Sequence, residues 1–153
     1  MAVFVWTLRN PTDQPLDLSL LLSWRNTTGW FTNTDASAEV HFRDDGSPEH
    51  NYAPAIGNTA GQRNRCIEDG SLKGVVLEGN VSNPVAEGEG QWCIATAEQP
   101  GVTIQRCSRW NPSGDGRELW DSFSADGSIP ESNNDRRSGS DDPLSAALAV
   151  QCQ

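Results

Sequence analysis

Polar and apolar residues alternate most regularly between Leu16 and Arg25. Leu16, Leu18, Leu20 and Leu22 share one side of an extended chain there, and Asp17, Ser19, Leu21 and Ser23 share the other. This predicts a strand. Residues 2–9, AVFVWTLR, form a short run of β-branched and aromatic side chains, which predicts a well-buried strand. Asn10, Pro11, Thr12, Asp13, Gln14 and Pro15 separate the two, so an antiparallel hairpin is expected. Further strands are expected at 38–43, 72–78, 91–96 and 102–109, with Gln99-Pro100-Gly101 as a hairpin turn between the last two. Segment 144–151 reads as helix or strand, because its alanines favour helix while Pro143 precedes it. The stretches 26–37, 44–71 and 111–143 are polar and rich in turn formers, and they read as loops. The pattern predicts no strong amphipathic helix. It predicts an all-β fold, an antiparallel β-sandwich of about seven strands with long loops.

Composition qualifies that expectation. Leu, Ile, Val and Phe make up only 29 of 153 residues, and the net charge is −10. Chains of this kind lie near the border at which folding fails for want of apolar surface. Six tryptophans offset the shortage, since each ring buries a large area. The expected domain therefore has a thin core or forms an incomplete part of a larger sandwich. Its 21 acidic and 11 basic residues argue against nucleic acid or an anionic membrane surface as a partner. No apolar run is long enough to cross a bilayer. The opening MAVFVWTLRN has no basic start and only a short apolar stretch, unlike a secretory leader, so a cytoplasmic location is expected. Cys66, Cys93, Cys107 and Cys152 are widely and irregularly spaced. They read as reduced thiols filling strands rather than as a zinc site or a disulfide framework.

A series of short motifs then appears in order. Ala2-Val3-Phe4-Val5-Trp6 with Asn10-Pro11 is followed by Leu16-Asp17-Leu18-Ser19, Leu22-Ser23-Trp24-Arg25-Asn26 and Gly29-Trp30-Phe31-Thr32-Asn33. Arg43-Asp44-Asp45-Gly46-Ser47-Pro48, Asn64-Arg65-Cys66-Ile67-Glu68-Asp69, Glu87-Gly88-Glu89-Gly90-Gln91-Trp92 and Arg109-Trp110-Asn111-Pro112 come next. Leu119-Trp120 and Phe123-Ser124-Ala125-Asp126-Gly127-Ser128 complete the set. The ordered set resembles the N-terminal β-sandwich domain of glycoside hydrolase family 116, the non-lysosomal glucosylceramidase and bile acid β-glucosidase family. The resemblance covers nearly all of residues 1–153 and implies a strand at 144–151. It also implies a retaining β-glucosidase whose nucleophile and acid/base lie in a C-terminal α-helical barrel domain. That barrel is absent from this sequence, so the resemblance carries no catalytic residue onto it. The chain alone is expected to be inactive, with the missing catalytic domain as its partner in cis. β-Glucosides or glucosylceramide would be the substrates of the whole enzyme, and no cofactor is implied.

Other chemistry is sparse. Asp44/Asp45, Glu68/Asp69, Glu87/Glu89 and Asp141/Asp142 are neighbours in turns, whereas a glycosidase needs two carboxyls on opposite sides of one sugar. Asp115-Gly116 and Asp126-Gly127-Ser128 lack the spacing of a calcium loop, so no metal site is expected. His41 and His50 have no nucleophile motif around them. Trp6, Trp24 and Trp92 are expected in the core. Trp30, Phe31, Trp110 and Trp120 lie in or beside loops and are the candidate carbohydrate or domain-interface residues. The leading expectation is a non-catalytic domain that supports the catalytic barrel and shapes substrate approach through 26–37 and 44–71. An independent carbohydrate-binding module and a truncated product without function of its own are the alternatives.

Overall fold

The computed structural model describes residues 2–29, 39–51, 59–79, 90–139 and 142–152. Within them run eight strands and one helix. The strands are β1 (Leu18–Arg25), β2 (Glu39–Phe42), β3 (Pro48–Asn51), β4 (Arg63–Asp69), β5 (Leu72–Glu78), β6 (Gln91–Ala97), β7 (Val102–Trp110) and β8 (Ser145–Cys152). Helix α1 (Arg117–Asp126) lies between β7 and β8. Two three-stranded antiparallel sheets, in the orders β1-β8-β7 and β4-β5-β6, face one another, and β2 and β3 form a separate hairpin. The all-β antiparallel expectation holds.

The inter-sheet core consists of Val75, Leu77, Ile94, Ala146 and Leu148, with Cys66 and Ile104 against it. A second cluster covers the outer face of the β1-β8-β7 sheet, where Cys107, Ala147 and Ala149 meet Leu119 and Phe123 of α1 and Ile129. Strand β8 is thus buried on both faces, and its small residues fit the space between two layers. This is how a chain poor in large aliphatic residues still closes a core.

Several expectations need correction. Residues 2–9 form no strand, and residues 2–17 are exposed throughout. Strand β1 pairs with β8, in register Leu18↔Cys152 to Arg25↔Ser145, and not with 2–9. The expected hairpin between β6 and β7 is a crossover between sheets, since β6 pairs with β5 and β7 pairs with β8. Local turn residues mark where the chain reverses but not which sheet it enters. The supposed loop 44–71 contains β3 and β4, and 111–143 contains α1. The helix was hidden because Leu119, Trp120 and Phe123 are its only large apolar residues, set among polar neighbours. It ends at Gly127, which has φ 76° and donates its N–H to Phe123 O at 2.9 Å. A Cβ at Gly127 would lie 2.0 Å from Ser19 Oγ, so the glycine also lets α1 seat against β1.

Candidate functional site

The most concentrated set of buried polar side chains lies at one end of the sandwich. Asn26, just past β1, donates from Nδ2 to Asn64 Oδ1 at 2.9 Å and to Glu78 O at 3.0 Å. Its Oδ1 accepts from Thr28 N at 3.0 Å and Thr28 Oγ1 at 2.6 Å. Gln62 Nε2 donates to Thr28 O at 2.7 Å, and Gln62 O accepts from Ser138 N at 2.8 Å. Thr59 Oγ1 donates to Gly139 O at 2.8 Å and accepts from Asp142 N at 3.2 Å. Asn26, Thr28, Thr59, Gln62, Asn64 and Ser138 are all buried. Gly79 is pressed against Thr28, where a Cβ would come within 3.0 Å of Oγ1. The knot thereby joins the residues just past β1, the approach to β4 and the end of β5 on one shared base, with Ser138 and Asp142 tied to it.

Glu78 completes that base. Its carboxylate is only 8% exposed and accepts from Arg63 Nε at 2.9 Å, Arg65 Nε at 2.8 Å and Gln91 Nε2 at 3.2 Å. Burial alone would push its pKa up, but the hydrogen bonds and charges of Arg63 and Arg65 outweigh burial and hold it below the ordinary glutamate value. A general acid needs the opposite shift, so Glu78 is built as a structural anion and not as a proton donor. Among the other acids named above, Glu68 and Asp69 lie at the end of strand β4 and not in a turn, while Asp45, Asp115 and Asp126 serve turns. Asp45 Oδ1 accepts from Ser47 N at 2.8 Å, and Asp126 Oδ1 accepts from both Ser128 N at 2.9 Å and Ser128 Oγ. Asp115 accepts from Arg117 N at 3.1 Å. Asp142 takes an ion pair from Arg109. No cluster of three metal-ligating side chains occurs among the described residues. A shallow depression lined by Gly101, Val102, Thr103 and Gln151 offers neither carboxylate nor ring.

The aromatic candidates are dispersed. Trp110 closes β7, packs against the outer cluster with Leu119 and Phe123, and donates Nε1–H to Ala146 O at 3.4 Å. Trp120 sits on α1, 59% exposed, with its ring centroid 6.0 Å from that of Phe123. Trp30 and Phe31 fall outside the described residues, as do Glu87, Glu89 and Asp141. His41 lies exposed on β2.

The tryptophans expected in the core lie elsewhere. Trp6 is 68% exposed, and Trp24 and Trp92 stack on each other at 6.4 Å while both stay about half exposed. Trp24 pairs with the core residue Ala146 and Trp92 with Leu77, so both occupy inward positions. Their strands, however, are sheet edges, and an inward ring on an edge is covered only if a further strand follows. Alternation could assign the face but not the edge.

The cysteines are free, and all four lie in strands, with Cys107 buried and Cys93 exposed. No helix among the described residues is long and apolar enough to cross a membrane. Compared with protein families, residues 1–153 match the model described as beta-glucosidase 2, glycosyl-hydrolase family 116 N-term.

Proposed function

Because the chain belongs to the N-terminal domain family of glycoside hydrolase family 116, which implies a catalytic partner domain in cis, we propose that it serves that partner as a scaffold. In this reading it performs no glycosidic chemistry itself. The observation that carries the reading is the buried knot of Asn26, Thr28, Gln62, Asn64 and Glu78. It ties the ends of β1, β4 and β5 to one buried base, an arrangement suited to presenting a surface. The stretches 26–37 and 44–71, which the sequence reading assigned to substrate approach, run from this base. Glucosylceramide is the substrate of the whole enzyme that the resemblance suggests. Four unpaired thiols suit a reducing compartment, and a cytoplasmic location is proposed on that ground.

The test uses the purified chain and an aryl β-glucoside. No aglycone is released on this reading, and release would overturn it. In a full-length enzyme Gln62→Ala, which loosens the base, raises KM more than it lowers kcat. A second reading rests on Trp120, whose exposed ring on α1 offers a face for a sugar. A saturable change in fluorescence on titration with glucosides, lost in Trp120→Ala, would favour that carbohydrate-binding role instead.

A further inference from the structure

We propose that residues 2–9 are a strap that closes the sandwich by docking as a strand along the edge of β6 that pairs with no other described strand, opposite β1. Three observations point there. The first is the strap itself. Val3, Phe4, Val5 and Trp6 are 68–86% exposed and Leu8 is 45% exposed, an apolar run with strand-forming composition and no cover.

The second is a vacancy of matching shape. Strand β7 lies over β4 and β5, and β8 over β5 and β6, which leaves β1 as the strand of its sheet that overhangs the facing one. Leu18, Leu20, Leu22 and Trp24 share the inward side of β1, in register with Cys152, Val150, Leu148 and Ala146. Leu22 and Trp24 are 38% and 43% exposed, and Trp92 beside them on β6 is 51% exposed. A further strand next to β6 would cover all of these at once.

The third is the link. Residues 10–17 join the strap to β1, and 10–14 fold into a turn in which Asn10 Nδ2 donates to Gln14 O at 2.7 Å and Asn10 Oδ1 accepts from Thr12 N at 2.9 Å. The remaining link, at about 3.3 Å per residue, still crosses the roughly 10 Å between packed sheets.

Among the described strands, β1 and β6 each present an edge to the strap, and burial decides between them. Paired to β1 as a hairpin, the strap would extend the overhang, leaving Phe4, Trp6 and Leu8 uncovered beside Leu18, Leu20 and Leu22. Paired to β6, it sets the same three side chains against the leucines of β1 and against Trp92, so both apolar sets leave water together. Val3, Val5 and Thr7 then emerge on the outer side, as does Cys93, the exposed thiol next to Trp92 on β6.

Cys93 supplies the test. Val3→Cys, Val5→Cys and Thr7→Cys are made singly and oxidised with oxidised glutathione, and the products are mapped by peptide mass spectrometry. A disulfide requires Cα atoms within about 7 Å. At least one variant should form an intramolecular bond to Cys93, and Cys93→Ser should abolish it. In the unaltered chain, amide hydrogen exchange at residues 3–9 should be at least tenfold slower than in an unstructured peptide of that sequence. A folded monomer with no bond to Cys93 would overturn the proposal. So would bonds found only between copies, bonds formed instead to β1 when Ser19→Cys or Ser23→Cys is added to these variants, or unprotected amides at 3–9.

Discussion

The two long edges of the sandwich are finished in different ways. At the β4/β7 edge, residues 131–134 lie across the opening between the sheets. Ser132 N donates to Arg106 O at 2.9 Å, Ser132 O accepts from Ser108 N at 3.1 Å, and Asn133 Oδ1 accepts from Cys66 N at 3.1 Å. Arg106, 14% exposed, reaches Ile67 O at 3.1 Å and pairs with Glu68 at 2.8 Å. Backbone groups of both sheets are thereby satisfied by one polar segment. At the β1/β6 edge, among the described residues, the stacked rings of Trp24 and Trp92 lean across the gap. A sandwich edge can be closed by hydrogen bonds or by apolar burial. The β4/β7 edge takes the polar route, while at the β1/β6 edge the apolar route has its materials in place and undocked.

This contrast can be broken at several points, and the largest effect should come from behind β1. Among the described elements, β1 is held by β8 along one edge and by the seat of α1 on its outer face. Gly127→Ala forces an L side chain into φ 76° and against Ser19, and should cost about 3 kcal/mol in urea unfolding. A loss under about 1 kcal/mol would mean that α1 does not hold β1 in place.

Next in size is Glu78, which joins β4 to β6 through Arg63, Arg65 and Gln91. Glu78→Gln leaves two arginines without their counter-charge and should cost about 2 to 3 kcal/mol at neutral pH. That is below the full figure for a buried pair because both arginines are about one-third exposed. The sign with pH follows from the depressed pKa. The stabilisation is complete above the unfolded glutamate value and is lost as pH falls through the lower folded value. The gap between wild type and Glu78→Gln should therefore narrow in acid, and a constant gap would count against the ion pair.

Arg106→Met keeps the stem and removes the head that closes the β4/β7 edge. The expected loss is about 2 kcal/mol, with faster amide exchange in β4 and β7 but not in β6. Trp92→Ala at the opposite edge is the sharpest comparison. A half-exposed stacked pair is worth about 1 kcal/mol. A loss well above 2 kcal/mol would instead report a ring buried under a docked strap.

How much of this was legible in the sequence depended on which interaction fixed each part. The strands β5, β6 and β7 lay within a residue or two of expectation, because alternation and turn residues are local signals. Partners were not legible. The pairing of Leu18 with Cys152 depends on the whole chain, and Gln99-Pro100-Gly101 looks the same whether the chain turns within a sheet or crosses between two. The polar knot left no trace because Asn26, Gln62 and Asn64 read as loop or surface residues until β1, β4 and β5 bring them together. The surrounding pattern did hold one clue. Arg63 and Arg65 alternate along one strand, as two donors to a single anion must. Among the aromatic candidates, Trp110 was found beneath α1 and Trp120 upon it, a helix that the polar composition of 111–143 concealed.

Strand β8 also sets an order of events. The sheet it centres unites residues 18–25 with residues 145–152, so β1 must wait through the synthesis of everything between before its partner exists. The β4-β5-β6 meander, built from neighbouring segments, has no such delay. A ribosome-bound chain lacking residues 145–152 would thus carry one finished sheet and a leucine-rich strand in search of a mate, a species that chaperones recognise and that neighbouring nascent chains would capture.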